Sequence, residues 1–109
     1  MSVKRIAAVV GVRPSEIEEY ERIHEEVWPS VLSMLKKANV QNFSIYRYEH
    51  LLFSYMEYTG NDYEADMAAI AADPETQRWW QITKPMQSTV AEVAPGQWWH
   101  ELPEKFHLD

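Results

Sequence analysis

A chain of 109 residues can enclose one hydrophobic core but not two, so a single domain spanning residues 1–109 is expected. With 46% apolar and 13% aromatic residues, the composition is that of a folding globular protein and excludes a disordered one. The formal net charge of −7 and the scatter of the ten Lys and Arg residues argue against nucleic acid as a partner, and no apolar run is long enough for a membrane span. The absence of cysteine rules out disulfides and fits a reducing compartment. The opening "MSVKRIAAVVGVRP" has basic residues and a short apolar run, but Arg13-Pro14 cuts it off before it reaches the length of a secretory core, so a cytoplasmic location is expected.

In chain order, "VKRIAAVVGV" is rich in Val and Ile and stops at Gly11 to Pro14, which predicts a first strand. Ser15 is placed to cap a helix whose first turn is acidic, with Ile17, Tyr20, His24, Val27 and Val31 at helical spacing. Pro29 lacks an amide donor and disfavours α geometry at Trp28, so a break is expected there, with "PSVLSMLKKA" as a second helical piece. "QNFSIYRY" and "LLFSYMEY" are aromatic, β-prone and joined by a short polar link around Glu49 and His50, as in a hairpin. Asn61 or Asp62 can cap the helix "YEADMAAIAA", and Asp73 the helix "DPETQRWWQIT", with Pro74 at its first position. Lys84-Pro85 ends that helix, a loop with Pro95-Gly96 follows, and "QWWHELPEKFHL" reads as a final strand weakened by Pro103. The expected order is β-α-β-β-α-α-β, an α+β fold.

Alternation along the hairpin groups Phe43, Ile45, Leu51, Phe53 and Tyr55 on one face and Tyr46, Tyr48, Leu52, Met56 and Tyr58 on the other. Both faces are therefore apolar. Helices cover one of them, and a second copy of the same sheet is the simplest cover for the other, so a two-fold homodimer with sheets face to face is expected.

The chain has no Cys, no Gly-rich phosphate loop and no Gly-x-Ser-x-Gly elbow, which removes several large enzyme classes. "HEEVW" is not a zinc-protease motif, because Trp28 stands where its second histidine belongs; with His50, His100 and His107 at no ligand spacing, no metal is expected. Tyr20 and His24 remain. Four positions apart on one helix, they share an otherwise apolar face, which puts an imidazole able to exchange protons near neutral pH beside a phenol able to hydrogen-bond. A histidine in such a setting is more often a packed core residue than a catalyst, and the tryptophans tilt the balance. Trp79 and Trp80 project about 100° apart, so one can enter the core while the other lines a cavity edge. Flat rings beside a few hydrogen-bonding groups suit a ligand with apolar C–H faces and hydroxyl edges, such as a sugar.

The string "EEYERIHEEVWPSVLSMLKKANVQNFSIYRYEHLLFSYMEY", followed by "QRWW" and the tail "ELPEKFHL", closely resembles the L-rhamnose mutarotase family over nearly the whole chain. The resemblance implies a ferredoxin-like antiparallel sheet with helices on one face, dimerising through its sheets into a dimeric α/β barrel. It also implies exchange of the α and β anomers of L-rhamnose without a cofactor. On the same basis His24 matches the family's proton donor, and Tyr20, Trp79 and Trp80 its sugar-binding residues. Phe43 stands where the family has a sugar-contacting tyrosine, so one hydroxyl is missing from the substrate-binding set, and a missing donor can change which sugar is preferred. The link between the second and third strands is shorter than in the family, and "GQWWH", with Trp98, Trp99 and His100, maps onto none of its motifs.

The expected chemistry is ring opening and closure. Protonated His24 donates to the ring oxygen and recovers the proton on closure, while Tyr20 or a water handles the anomeric hydroxyl. Positioned acid-base groups worth ~10²–10⁴-fold each suffice without metal or cofactor. Two rival readings stand beside it: the same chemistry on L-fucose or another 6-deoxyhexose, and a dimeric α/β-barrel protein that binds haem or another non-sugar ligand.

Overall fold

The computed structural model describes residues 3–109; Met1 and Ser2, part of the N-terminal run read above, lie outside the described residues. Strand β1 (Lys4–Val12) leads through a 3-10 turn at Pro14–Glu16 into α1 (Ile17–Ile23). A second 3-10 turn, His24–Glu26, precedes α2 (Pro29–Lys37). Strands β2 (Val40–Tyr48) and β3 (Leu51–Tyr58) form the expected hairpin, and α3 (Tyr63–Ala72) and α4 (Pro74–Thr83) follow. After a 3-10 turn at Lys84–Met86 the chain closes the sheet with β4 (Gln87–Ser88) and β5 (His100–Leu102).

The sheet order is β2-β3-β1-β4, with β5 also on β1 and every pairing antiparallel. This is the ferredoxin-like α+β arrangement expected, with one correction. The final strand is not a single run over "QWWHELPEKFHL". Gln87 and Ser88 pair with Val12 and Gly11, the chain then loops away, and only His100–Leu102 returns to pair with Val9, Ala8 and Ala7. Residues 103–109 have no regular structure. Proline at position 103 has no amide hydrogen to extend the ladder. A side chain on Gly11 would meet Ser88 Oγ at 2.6 Å and its carbonyl oxygen at 2.8 Å, so the absence of one is what lets β4 come so close.

Several local expectations are met. The helix breaks ahead of Pro29, where Val27 and Trp28 are extended. The break begins earlier than predicted, since α1 already ends at Ile23 and His24 is its C-cap. Asp62 accepts from Ala65 N at 3.1 Å and Asp73 from Thr76 N at 2.9 Å, so both aspartates cap their helices. Ser15 does not act as a cap; it lies inside the 3-10 turn, and Glu16, the residue at the N-cap of α1, makes no side-chain cap.

The grouping of hairpin faces is also corrected. The two-residue turn at Glu49-His50 sets Tyr48 opposite Leu51, so odd positions on β2 share a face with even positions on β3: Ile45 with Ser54, Tyr46 with Phe53. A bulge at Asn42, whose φ is 49°, then shifts the register so that both Val40 and Ile45 face the helices. On that side Val10, Val12, Leu52 and Tyr20 make one buried cluster and Ala38, Val40 and Ile70 another. The opposite side of the sheet carries Tyr46 and Tyr48, 64% and 68% exposed. Among the described residues no helix is long and apolar enough to cross a membrane.

Candidate functional site

Between the sheet and its helices lies a cavity of about 630 Å³, within the range of small-molecule sites. Tyr20, His24, Phe43, Trp79 and Trp80, the five residues singled out from the sequence, all line it. Their convergence has local causes. Tyr20 projects from α1 into the core against Val10, Val12 and Leu52 and is 3% exposed. His24 sits where α1 runs out, and the carbonyl oxygens of a helix end lack partners from a next turn. The Tyr20 carbonyl, which already accepts the backbone N–H of His24 at this helix end, is also met by the imidazole, whose Nδ1 lies 2.7 Å from its oxygen. A carbonyl can only accept, so the hydrogen is on Nδ1 and the lone pair of the neutral ring is on Nε2.

Aromatic packing fixes the plane of the imidazole. It stacks on the Tyr20 ring at 4.1 Å between centroids with 27° between planes, and the edge of Trp79 meets it at 5.3 Å. Trp79 in turn packs edge-on against Trp28 at 5.2 Å. Trp79 is buried and Trp80 half-buried, the division that helical geometry predicted for adjacent residues. Lys84 holds its ammonium over Trp80 at 5.1 Å and over Trp98 at 5.4 Å, tying the helix to the loop after β4. Phe43 follows the β2 bulge and forms part of the wall while remaining 42% exposed.

Burial sets the electrostatics. It pushes the His24 pKa below the ordinary imidazole value, because charging the ring away from water is costly, and the bond to the Tyr20 carbonyl offsets only part of this. The ring is therefore neutral at pH 7. Burial likewise raises the Tyr20 pKa, opposed by a hydrogen bond from Gln87, so the phenol keeps its proton. The cavity thus presents one nitrogen able to accept a proton and one phenol able to donate a hydrogen bond, set among apolar rings. Such a pair can move a proton between two neighbouring oxygens of a bound molecule.

Sequence reasoning missed Gln87 and left Trp98 and Trp99 without a place. Both tryptophans line the cavity, and the Trp98 indole N–H donates to Gln87 Oε1 at 2.7 Å. Gln87, 4% exposed, donates from Nε2 to the Tyr20 hydroxyl oxygen at 3.2 Å. No local pattern marks a lone glutamine in a polar stretch; its position follows from the pairing of β4 with Val12. His100 is not part of the site. It pairs with Val9 on the face turned away from the helices, whereas its neighbour Glu101, opposite Ala8, reaches the cavity.

Comparison with known proteins points one way. Residues 5–108 match the family model described as L-rhamnose mutarotase. The chain is 32% identical to the L-rhamnose mutarotase of Oceanobacillus iheyensis over 98% of this chain and 100% of that one. It is 36% identical to that of Opitutus terrae, covering 96% and 98% of the two chains. The crystal structure of L-rhamnose mutarotase from Formosa agariphila superposes with a TM-score of 0.76 at 20% identity, covering 97% of this chain and 99% of that one, which shows the common fold.

Proposed function

The chain belongs to the L-rhamnose mutarotase family, and we propose that it exchanges the α and β anomers of L-rhamnose by proton transfer at His24. The observation that carries this reading is the His24 ring itself. One nitrogen is committed to the Tyr20 carbonyl at 2.7 Å, and the other is left as a proton acceptor in an aromatic cavity.

In the resting state His24 is neutral, so the proton it gives to the ring oxygen is one it has first received. Nε2 takes the proton of the anomeric hydroxyl. As the bond between the anomeric carbon and the ring oxygen breaks, its electron pair goes to the ring oxygen, the carbonyl forms, and the imidazolium delivers the proton to that oxygen. The two oxygens share one carbon, so a single nitrogen can serve both. Rotation of the aldehyde followed by the reverse sequence yields the other anomer, with no net gain or loss of protons. Tyr20, whose pKa is raised, serves as a hydrogen-bond donor to the sugar and not as the base. Trp79 and Trp80 supply apolar faces, and Phe43 supplies a wall without a hydroxyl.

The outer face of the sheet supports a homodimer. Tyr46 and Tyr48 are exposed there, and a second copy would remove them from water. Light scattering on the purified protein should give twice the chain mass, and Tyr46→Glu with Tyr48→Glu should halve it. The lack of cysteine fits a cytoplasmic enzyme acting on free sugar.

Proton NMR saturation transfer between the anomeric signals of L-rhamnose tests the activity, with L-fucose in parallel to read the effect of Phe43. Added protein should accelerate exchange, and His24→Ala should remove at least ~10²-fold of that acceleration. A folded His24→Ala protein exchanging anomers at the unmodified rate would sink the assignment of His24.

A further inference from the structure

We propose that Gln87 is a positioning residue: held by the Trp98 indole, it donates to the Tyr20 hydroxyl oxygen and so turns the phenol hydrogen into the cavity toward the bound sugar. The inference rests on the mutarotase reading above and adds to it how Tyr20 is made a donor.

The argument is one of hydrogen-bond polarity. An amide has a donating and an accepting end, and either could face a phenol. Here the indole N–H of Trp98, which can only donate, occupies Gln87 Oε1 at 2.7 Å. That leaves Nε2 for Tyr20, 3.2 Å away, and an N–H can only donate. The phenol oxygen therefore accepts, and its own hydrogen is free for another acceptor. Tyr20 donates to no group among the described residues, and its side chain borders the cavity that holds His24. Trp98 thus sets the direction of a bond it does not make. Gln87 itself is fixed by the backbone, because Val12 pairs with it and β4 lies tight against Gly11. Lys84, over the Trp98 ring at 5.4 Å, holds the indole in place.

The decisive substitution is Gln87→Glu, which keeps the size of the side chain and reverses its polarity. Burial raises the pKa of the new carboxyl, so the assay is run at a pH above its titration; there the carboxylate accepts from Trp98 through one oxygen and can only accept from Tyr20 through the other, drawing the phenol hydrogen away from the cavity. The kcat for L-rhamnose exchange should fall by roughly 10²-fold, the scale of losing one positioned donor, with KM little changed. In a Tyr20→Phe background the same substitution should have less than about a twofold further effect, because the hydrogen it redirects is gone. A purely structural role for Gln87 predicts equal losses in both backgrounds.

A second measurement reads the chain of bonds without activity. The Trp98 indole N–H resonance, identified by its disappearance in Trp98→Phe, should shift upfield in Gln87→Leu and not in Gln87→Glu, where the carboxylate is an equal or stronger acceptor and holds it at or downfield of its original position. Full kcat in folded Gln87→Glu, equal losses with and without the Tyr20 hydroxyl, or an unmoved indole resonance in Gln87→Leu would each overturn the proposal. No exchange by the unmodified protein would overturn the function and this role with it, and the indole measurement tells that failure apart from a broken chain of bonds.

Discussion

The helical pair Trp79-Trp80 and the loop pair Trp98-Trp99 line the same cavity but are held there by different means. On α4, backbone geometry does the placing: the helix starts at the Asp73 cap, and successive residues turn by about 100°, so Trp79 enters the core while Trp80 stays at the edge. In the loop there is no regular backbone to do this. Trp98 is placed by one hydrogen bond to a buried glutamine and by the Lys84 ammonium over its ring. The first pair is a property of a local segment, and the second depends on strands distant in sequence being correctly paired. The helical pair is therefore placed by its own segment and the loop pair by tertiary contacts, which include packing of both rings against the Val10, Val12, Tyr20 and Leu52 cluster.

The comparison can be broken most forcefully at Trp79. Trp79→Ala removes a buried ring that supports both His24 and Trp28, and it should cost about 3–5 kcal/mol of stability, measured by urea unfolding. Trp98→Phe keeps an aromatic ring but leaves Gln87 Oε1 without its donor. A loss of about 1–3 kcal/mol is expected in the same assay, together with lower kcat. If Trp98→Phe proved as damaging as Trp79→Ala, the tertiary contacts of the loop would matter to the core as much as the helix does. Asp73→Ala removes the cap of α4 and the acceptor of the buried Thr76 hydroxyl, and should cost about 1–2 kcal/mol, with the exchange rate changed less than by either tryptophan substitution.

The smallest effect expected is with pH. Burial lowers the His24 pKa below its ordinary 6.5, so above that value the ring is neutral in folded and unfolded chains alike and contributes no pH dependence. As pH falls through 6.5 the unfolded chain takes up a proton first, so His24 disfavours the folded state progressively until its own folded pKa is passed. The acid limb of kcat/KM should accordingly lie below 6.5, and the same shift should be visible in the imidazole resonances of His24. An acid limb above 6.5 would mean that a group other than His24 sets it, or that a partner of His24 raises its pKa.

Much of this protein could be read along the chain. The strand-helix order follows from period, proline and cap residues, each acting within a few positions, and Asp62, Asp73 and the break before Pro29 illustrate it. The pairing of Tyr20 with His24 rests on one turn of helix, and the division between Trp79 and Trp80 on one residue of it. Tertiary structure decided what depends on register. It put Ile45 on the helix side of the sheet and Tyr46 on the other, made β4 from Gln87 and Ser88 in a stretch read as loop, shortened the last strand to His100–Leu102, and sent His100 away from a cavity that Trp98 joins. Gln87 is the clearest case. Its side chain has a role only because β4 lies beside Val12 and brings residues 20, 87 and 98 into one line of hydrogen bonds, a juxtaposition that no short-range propensity encodes.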